Sequence, residues 1–153
     1  MAVLRVTLGH LDEVAILFDE YRQFYQQPAD LEGCRAFIQQ RLQTGNSAIF
    51  GAQKGDQLVG FTQLYPSFSS VSIQPIWILN DLFVAIAHRR QGLAQALMET
   101  AANFARETGA IRLSLSTQIE NTAAQSLYES LGYCKDEAFY HYDLAINPTG
   151  TNV

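Results

Sequence analysis

The chain has 153 residues, 48% of them hydrophobic and 16% charged, which is enough for one domain with a real core and excludes a disordered chain. Its 10 basic and 15 acidic residues leave a net charge of −5, which argues against a nucleic-acid partner, where a basic face is expected. No apolar run approaches the ~20 residues of a membrane span, and the opening Met1-Ala2-Val3-Leu4-Arg5 lacks a secretory hydrophobic region.

Residues 2–7 read as a first strand. A helix follows over residues 10–26, with Leu11, Val14, Ala15, Leu17, Phe18, Tyr21, Phe24 and Tyr25 on its apolar side. Pro28 interrupts it, and Asp30 can cap a second helix reaching residue 42. Gly45-Asn46 marks a turn. Residues 47–53 and 57–65 form a predicted hairpin around Lys54-Gly55-Asp56. Residues 66–75, rich in Ser and Pro, read as a loop or an irregular strand end. Residues 76–84 make the central strand. A basic loop follows, then a helix over residues 92–107, a turn at Gly109 and a strand over residues 111–117. A helix opening at Asn121 is stopped by Gly132, and residues 138–144 make the last strand. Residues 147–153 read as a frayed tail, leaving residues 1–146 as the domain. Long apolar strands alternating with helices, plus a hairpin, predict a mixed α/β sheet with helices on both faces.

The run Arg89-Arg90-Gln91-Gly92-Leu93-Ala94 joins the central strand to a helix. A helix start offers unpaired N–H groups and the positive end of the macrodipole. Gly92 lets backbone come close to a ligand, and Arg89 and Arg90 add charge and forked donors. The pattern is an anion cradle, with a pyrophosphate as its natural occupant. Neither a nucleoside-triphosphate loop nor a dinucleotide fingerprint is present. The run Asn121-Thr122-Ala123-Ala124-Gln125-Ser126-Leu127-Tyr128-Glu129-Ser130-Leu131-Gly132-Tyr133 opens on an N-cap residue and closes on glycine.

On these two segments the chain resembles the GNAT acetyltransferase superfamily. Arg89, Gly92 and Ala94 match its cofactor loop. Asn121, Ala124, Leu127, Tyr128, Gly132 and Tyr133 match its second signature in register. The close resemblance covers residues 73–144. It implies a single-domain, mixed and mostly antiparallel central sheet in which two parallel strands splay apart, here those ending at Val84 and Thr117. It also implies acetyl-CoA as co-substrate, with no metal. Backbone of Leu82, Phe83 and Val84 would hold the pantetheine arm like an added strand. Arg89, Arg90, Gln91, Gly92, Leu93 and Ala94 would hold the pyrophosphate, with Asn121 and Tyr128 completing the cofactor site.

By the same resemblance Tyr128 is the acid that assists the departing thiolate, and a backbone N–H near Phe83 or Val84 donates to the oxyanion. Asn80 stands where polyamine acetyltransferases of the family carry a glutamate, and a carboxamide accepts no proton at neutral pH. Asp81 is the nearest carboxylate. A strand turns neighbours to opposite faces, so Asp81 reaches an amine only if a bulge re-aims it; otherwise water carries the proton. Tyr21, Tyr25 and Tyr65 are the acceptor-side candidates, with plain packing of a long helix the simpler reading of Tyr21 and Tyr25. Two readings stand: an N-acetyltransferase acting on a primary amine of a small molecule or peptide, and a non-catalytic CoA-binding sensor or interaction module. Scattered histidines and two distant cysteines, Cys34 and Cys134, fit no metal site and a reducing cytoplasm. A homodimer is left open.

Overall fold

The computed structural model describes residues 2–147; the expected tail over residues 147–153 lies, from residue 148 on, outside them. The described residues fall into two units, one ending at Ser116 and one beginning at Thr117.

The first unit is built on one sheet in simple chain order: β1 (Ala2–Arg5), β2 (Ala48–Lys54), β3 (Gln57–Ser69), β4 (Gln74–Val84) and β5 (Leu113–Ser114). The first four strands are antiparallel neighbours, and β5 runs parallel to β4. Helix α1 (Leu11–Phe24) is entered through a 3-10 turn whose capping Thr7 hydroxyl accepts from the Gly9 N–H. Helix α2 (Leu31–Thr44) is capped by Asp30, whose carboxylate accepts from the Gly33 N–H at 2.9 Å, and it ends on Gly45 in the left-handed region.

Strand alternation assigns the two faces. Phe61 and Phe83, with Val6, Ile49 and Leu58, meet Leu11, Val14 and Leu17 of α1 and Ile38 of α2. Gly60, one residue from Phe61, faces the other side, where α3 (Leu93–Glu107) brings Leu97 against it. Phe104 of α3 packs on Phe50 and Trp77. Each fully buried Leu or Phe removes enough apolar surface to contribute ~1.5–3 kcal/mol, so this two-sided burial carries most of the unit's stability. The sheet is mixed, mostly antiparallel and covered on both faces, as expected.

Three segments differ from expectation. Residues 66–69 and 74–75 are strand, not loop, so β3 and β4 form one long hairpin. Pro66 is tolerated because β2 pairs with β3 only as far as Leu64; beyond that point β3 has an open side where no N–H is needed. The strand expected over residues 111–117 is only two residues long, because it pairs with β4 at Trp77 and Ile78 alone. In the second unit, α4 (Thr122–Ser130) forms as expected, with the Asn121 side chain accepting from the Ala124 N–H at 3.1 Å. Residues 138–144 form no strand. Apolar alternation records which face a strand would bury, but a strand also needs a neighbour for its backbone groups.

Candidate functional site

The short β4–β5 pairing shapes the site. From Leu79 to Val84, β4 keeps β3 on one side and has no strand on the other among the described residues. Asn80, Asp81, Leu82, Phe83 and Val84 therefore lie on a stretch of open sheet edge. Register explains where Asp81 points. Gln63 of β3 opposes Asp81, yet the next residue, Leu64, opposes Leu79. Asn80 is the extra residue of a bulge; beyond it the pairing is regular, and the period of two sets Asp81 on the same face as Phe83. Phe61, Gln63 and Tyr65 of β3 share that face by their period of two, and α1 covers it.

Around Asp81 the polar groups are close and mostly dry. The carboxyl is 5% exposed. Gln63 Nε2 donates to its Oδ2 at 2.8 Å and Asn80 Nδ2 to its Oδ1 at 3.1 Å. The Tyr21 side chain also hydrogen-bonds the carboxyl, and its hydroxyl lies 3.5 Å from the Asn80 carbonyl. Burial raises the Asp81 carboxyl above the ordinary carboxylate range, against the pull of those hydrogen bonds. Burial, with the charge of Asp81 adding, pushes the Tyr65 hydroxyl up to about 12. The Tyr25 hydroxyl is raised by the same two causes. Tyr21 stacks edge-on against Tyr25 at 5.1 Å and Phe83 at 5.9 Å. So Tyr21, Tyr25, Tyr65, Asn80 and Asp81 form one cluster: a neutralisable acid ringed by phenols, suited to receive a cation.

The loop after β4 forms the second part. Arg90 and Gly92 both hold left-handed backbone, with φ of 61° and 78°. A non-glycine residue kept there reports a loop over-determined by its surroundings. The first N–H of α3 to find a carbonyl is that of Ala96, bonded to Gly92 at 3.0 Å. Those of Leu93, Ala94 and Gln95 lie in the opening turn, where a helix has no carbonyl to offer them. Lys54, at the end of β2, donates to the Gln91 side chain. Arg89 departs from the simple cradle. Its Nε donates to the Val84 carbonyl at 2.9 Å, and its guanidinium lies 5.5 Å from the ring centres of both Phe24 and Phe83. It braces the strand end against the end of α1 through Nε, while Arg90 and the opening backbone of α3 lie in the same loop.

Asn121 and Tyr128 belong to the second unit. Asn121 caps α4. Tyr128 lies one turn from the helix end, half-buried, with its ring 6.1 Å from that of Tyr133. The Tyr133 N–H bonds the Tyr128 carbonyl at 3.0 Å where Gly132, at φ 93°, reverses the chain. Gln63 was missed by sequence reasoning. Its signal was a lone polar residue between Phe61 and Tyr65 on an otherwise apolar face. Among the described residues, no group of three His, Cys, Asp or Glu side chains is placed to hold a metal, and no helix is long and apolar enough to cross a membrane.

Comparison with known proteins bears on this geometry. Residues 14–133 match the model of the acetyltransferase (GNAT) family. Over 133 residues the chain is 46% identical to an uncharacterised N-acetyltransferase of Bacillus subtilis (strain 168), YhfO, covering 87% of this chain and 89% of the relative. A crystal structure of a probable acetyltransferase superposes with a TM-score of 0.91 at 45% identity, over 96% of this chain and 99% of that one. At 21% identity, the aminoglycoside N-acetyltransferase AAC(6')-Iy, solved in complex with CoA, shares the fold with a TM-score of 0.78 over 94% of this chain and 93% of its own.

Proposed function

The chain belongs to the acetyltransferase (GNAT) family, and we propose that it moves an acetyl group from acetyl-CoA to a primary amine of a small molecule or peptide, by direct attack with both substrates bound. The observation that carries this reading is the buried Asp81 carboxyl, which lies among three tyrosines beside an open strand edge. The family's use of acetyl-CoA, and the CoA complex of a protein sharing the fold, support the cofactor. The thioester supplies an activated acyl group.

The residues of this chain do the rest. The open edge of Leu82, Phe83 and Val84 offers backbone groups to an amide-rich arm, as an added strand would. Gln91, Gly92, Leu93 and Ala94, with Arg90, receive the pyrophosphate at the start of α3. Asp81 pairs with the incoming ammonium and takes one proton from it, directly or through water. A carboxyl raised by burial is the better proton acceptor. The amine nitrogen then bonds to the acyl carbon as the carbon–sulfur bond breaks. A backbone N–H near Phe83 or Val84 donates to the carbonyl oxygen. Tyr128 gives its phenolic proton to the departing sulfur and regains one from the amide nitrogen, so one proton is released per turnover.

Isothermal titration with acetyl-CoA, followed by thiol release over an amine panel, tests the reading. Binding with turnover of at least one primary amine is expected. No binding at millimolar acetyl-CoA sinks it. Binding without turnover of any amine favours the sensor instead, the reading prompted by a carboxamide at Asn80.

A further inference from the structure

Arg41, near the end of α2, stands out among the arginines of the first unit. Its Nε is buried and has no hydrogen-bond partner, and its guanidinium lies 4.9 Å over the Phe37 ring. Among the described residues no carboxylate or carbonyl reaches that guanidinium. Arg5 also stacks on rings, those of Phe50 and Phe104, but has no nitrogen that is both buried and unpaired; other arginines are hydrogen-bonded. Arg35 is paired with Asp12 at 2.7 Å, Arg22 reaches the Pro28 carbonyl at 3.3 Å, and Arg89 holds the Val84 carbonyl at 2.9 Å. A guanidinium nitrogen shut away from water without an acceptor is costly. A fixed, stacked guanidinium is also a ready fork for a carboxylate.

Its place relative to the acid cluster is set by a run of rings. Phe37 stacks on Phe18 at 5.6 Å, Phe18 on Tyr21 at 6.3 Å, and Tyr21 bonds the Asp81 carboxyl. The Tyr65 hydroxyl feels both charges, Asp81 raising it and Arg41 lowering it. Along one aromatic wall, then, lie an acid suited to an ammonium and an unused cation suited to an anion.

We propose that Arg41 binds a carboxylate of the acceptor, so that the amine acetylated is one that also carries a free acid, as an amino acid does. The proposal rests on the acetyl-transfer reading above and narrows its substrate class. A polyamine offers no anion to Arg41, and a neutral amine leaves the guanidinium unpaired.

The test uses the full chain with acetyl-CoA and follows thiol release. The acceptors are free α-amino acids and short ω-amino acids, each against its own carboxamide, with a polyamine as a further arm. For the wild type, kcat/KM is expected to favour the acid over its amide by roughly 10- to 100-fold, the scale of one charge-assisted pair. Arg41→Gln should erase that preference by lowering turnover of the acids alone, while Arg41→Lys keeps part of it. Acetyl-CoA affinity and melting temperature, measured on each variant, should stay within error of wild type. Amides or polyamines used as well as the acids overturn the proposal, as does a preference that survives Arg41→Gln. In either case cofactor binding and turnover leave the acetyl-transfer reading standing. Failure to bind acetyl-CoA removes that reading and the proposal with it.

Discussion

The carboxyl of Asp81, a residue only 5% exposed, has two amide donors on its oxygens and, among the described residues, no cation beside it, so it is a poor place for negative charge. Because burial raises Asp81 in the folded state, the folded chain holds that proton more tightly than the unfolded chain. Its contribution to stability is therefore fully present below the ordinary carboxylate range and is lost as pH rises through the raised value. Asp81→Asn removes that loss. Its melting temperature relative to wild type should climb as pH rises above the ordinary carboxylate range, about 4. Thiol release should meanwhile fall by roughly 10²-fold, the usual weight of one acid–base group. A melting difference flat across pH would show that the carboxyl is not strained in the fold. The phenol at position 128 is tested with less disturbance. Tyr128→Phe keeps the ring and should cost only ~1 kcal/mol of stability. Turnover should drop roughly 10²-fold with acetyl-CoA affinity little changed. Unchanged turnover would reduce Tyr128 to a packing residue.

At the scale of elements, the open edge of β4 exists because its neighbour β5 stops short. β5 pairs only at Trp77 and Ile78, and Gly60 lets α3 close against β3 beside Val84. A Cβ at Gly60 would lie 3.0 Å from the Phe83 carbonyl and 3.2 Å from Val84 Cγ2. Backbone cannot yield as a side chain can, so Gly60→Ala should cost about 1–3 kcal/mol. It should also displace the strand end that offers its backbone to the cofactor. Calorimetry and titration together check this: a lower melting temperature with weakened acetyl-CoA binding is expected, and a variant stable but unaltered in binding would separate Gly60 from the site. Much of this frame was legible beforehand. The 3.6 periodicity of α1, the capping Asp30 and the glycine opening α3 are local signals, and local signals survive in sequence. The bulge at Asn80 and the short β5 were not, because each depends on what the neighbouring strand does. That a bulge falls at Asn80, just before Asp81, is visible only in the β3 register. The surroundings of Arg89 were hidden for a related reason. Its charge is visible in the sequence, but its engagement with Val84 and two phenylalanines is tertiary.

For the whole molecule the question is how a chain of net charge −5 takes up a cofactor rich in phosphate. The long-range field opposes it. On the proposed reading the attraction is local, from N–H groups at the start of α3 and from the basic loop before it, where Lys54 reaches Gln91. A ligand held by the folded chain alone stabilises it by mass action. At acetyl-CoA a hundredfold above its dissociation constant the gain is about 2.7 kcal/mol. In a domain of this size that raises the melting temperature by roughly 5–10 °C. Gly92→Glu tests where the attraction resides. A Cβ at Gly92 meets no atom within 4 Å, so space is not the obstacle, but its φ of +78° suits glycine alone. The variant should lose about 1–2 kcal/mol to left-handed strain and melt a few degrees lower without ligand. Acetyl-CoA should then raise its melting temperature hardly at all, because the new carboxylate faces the pyrophosphate at the helix start. A full ligand-induced shift in folded Gly92→Glu would place the phosphates elsewhere on the molecule.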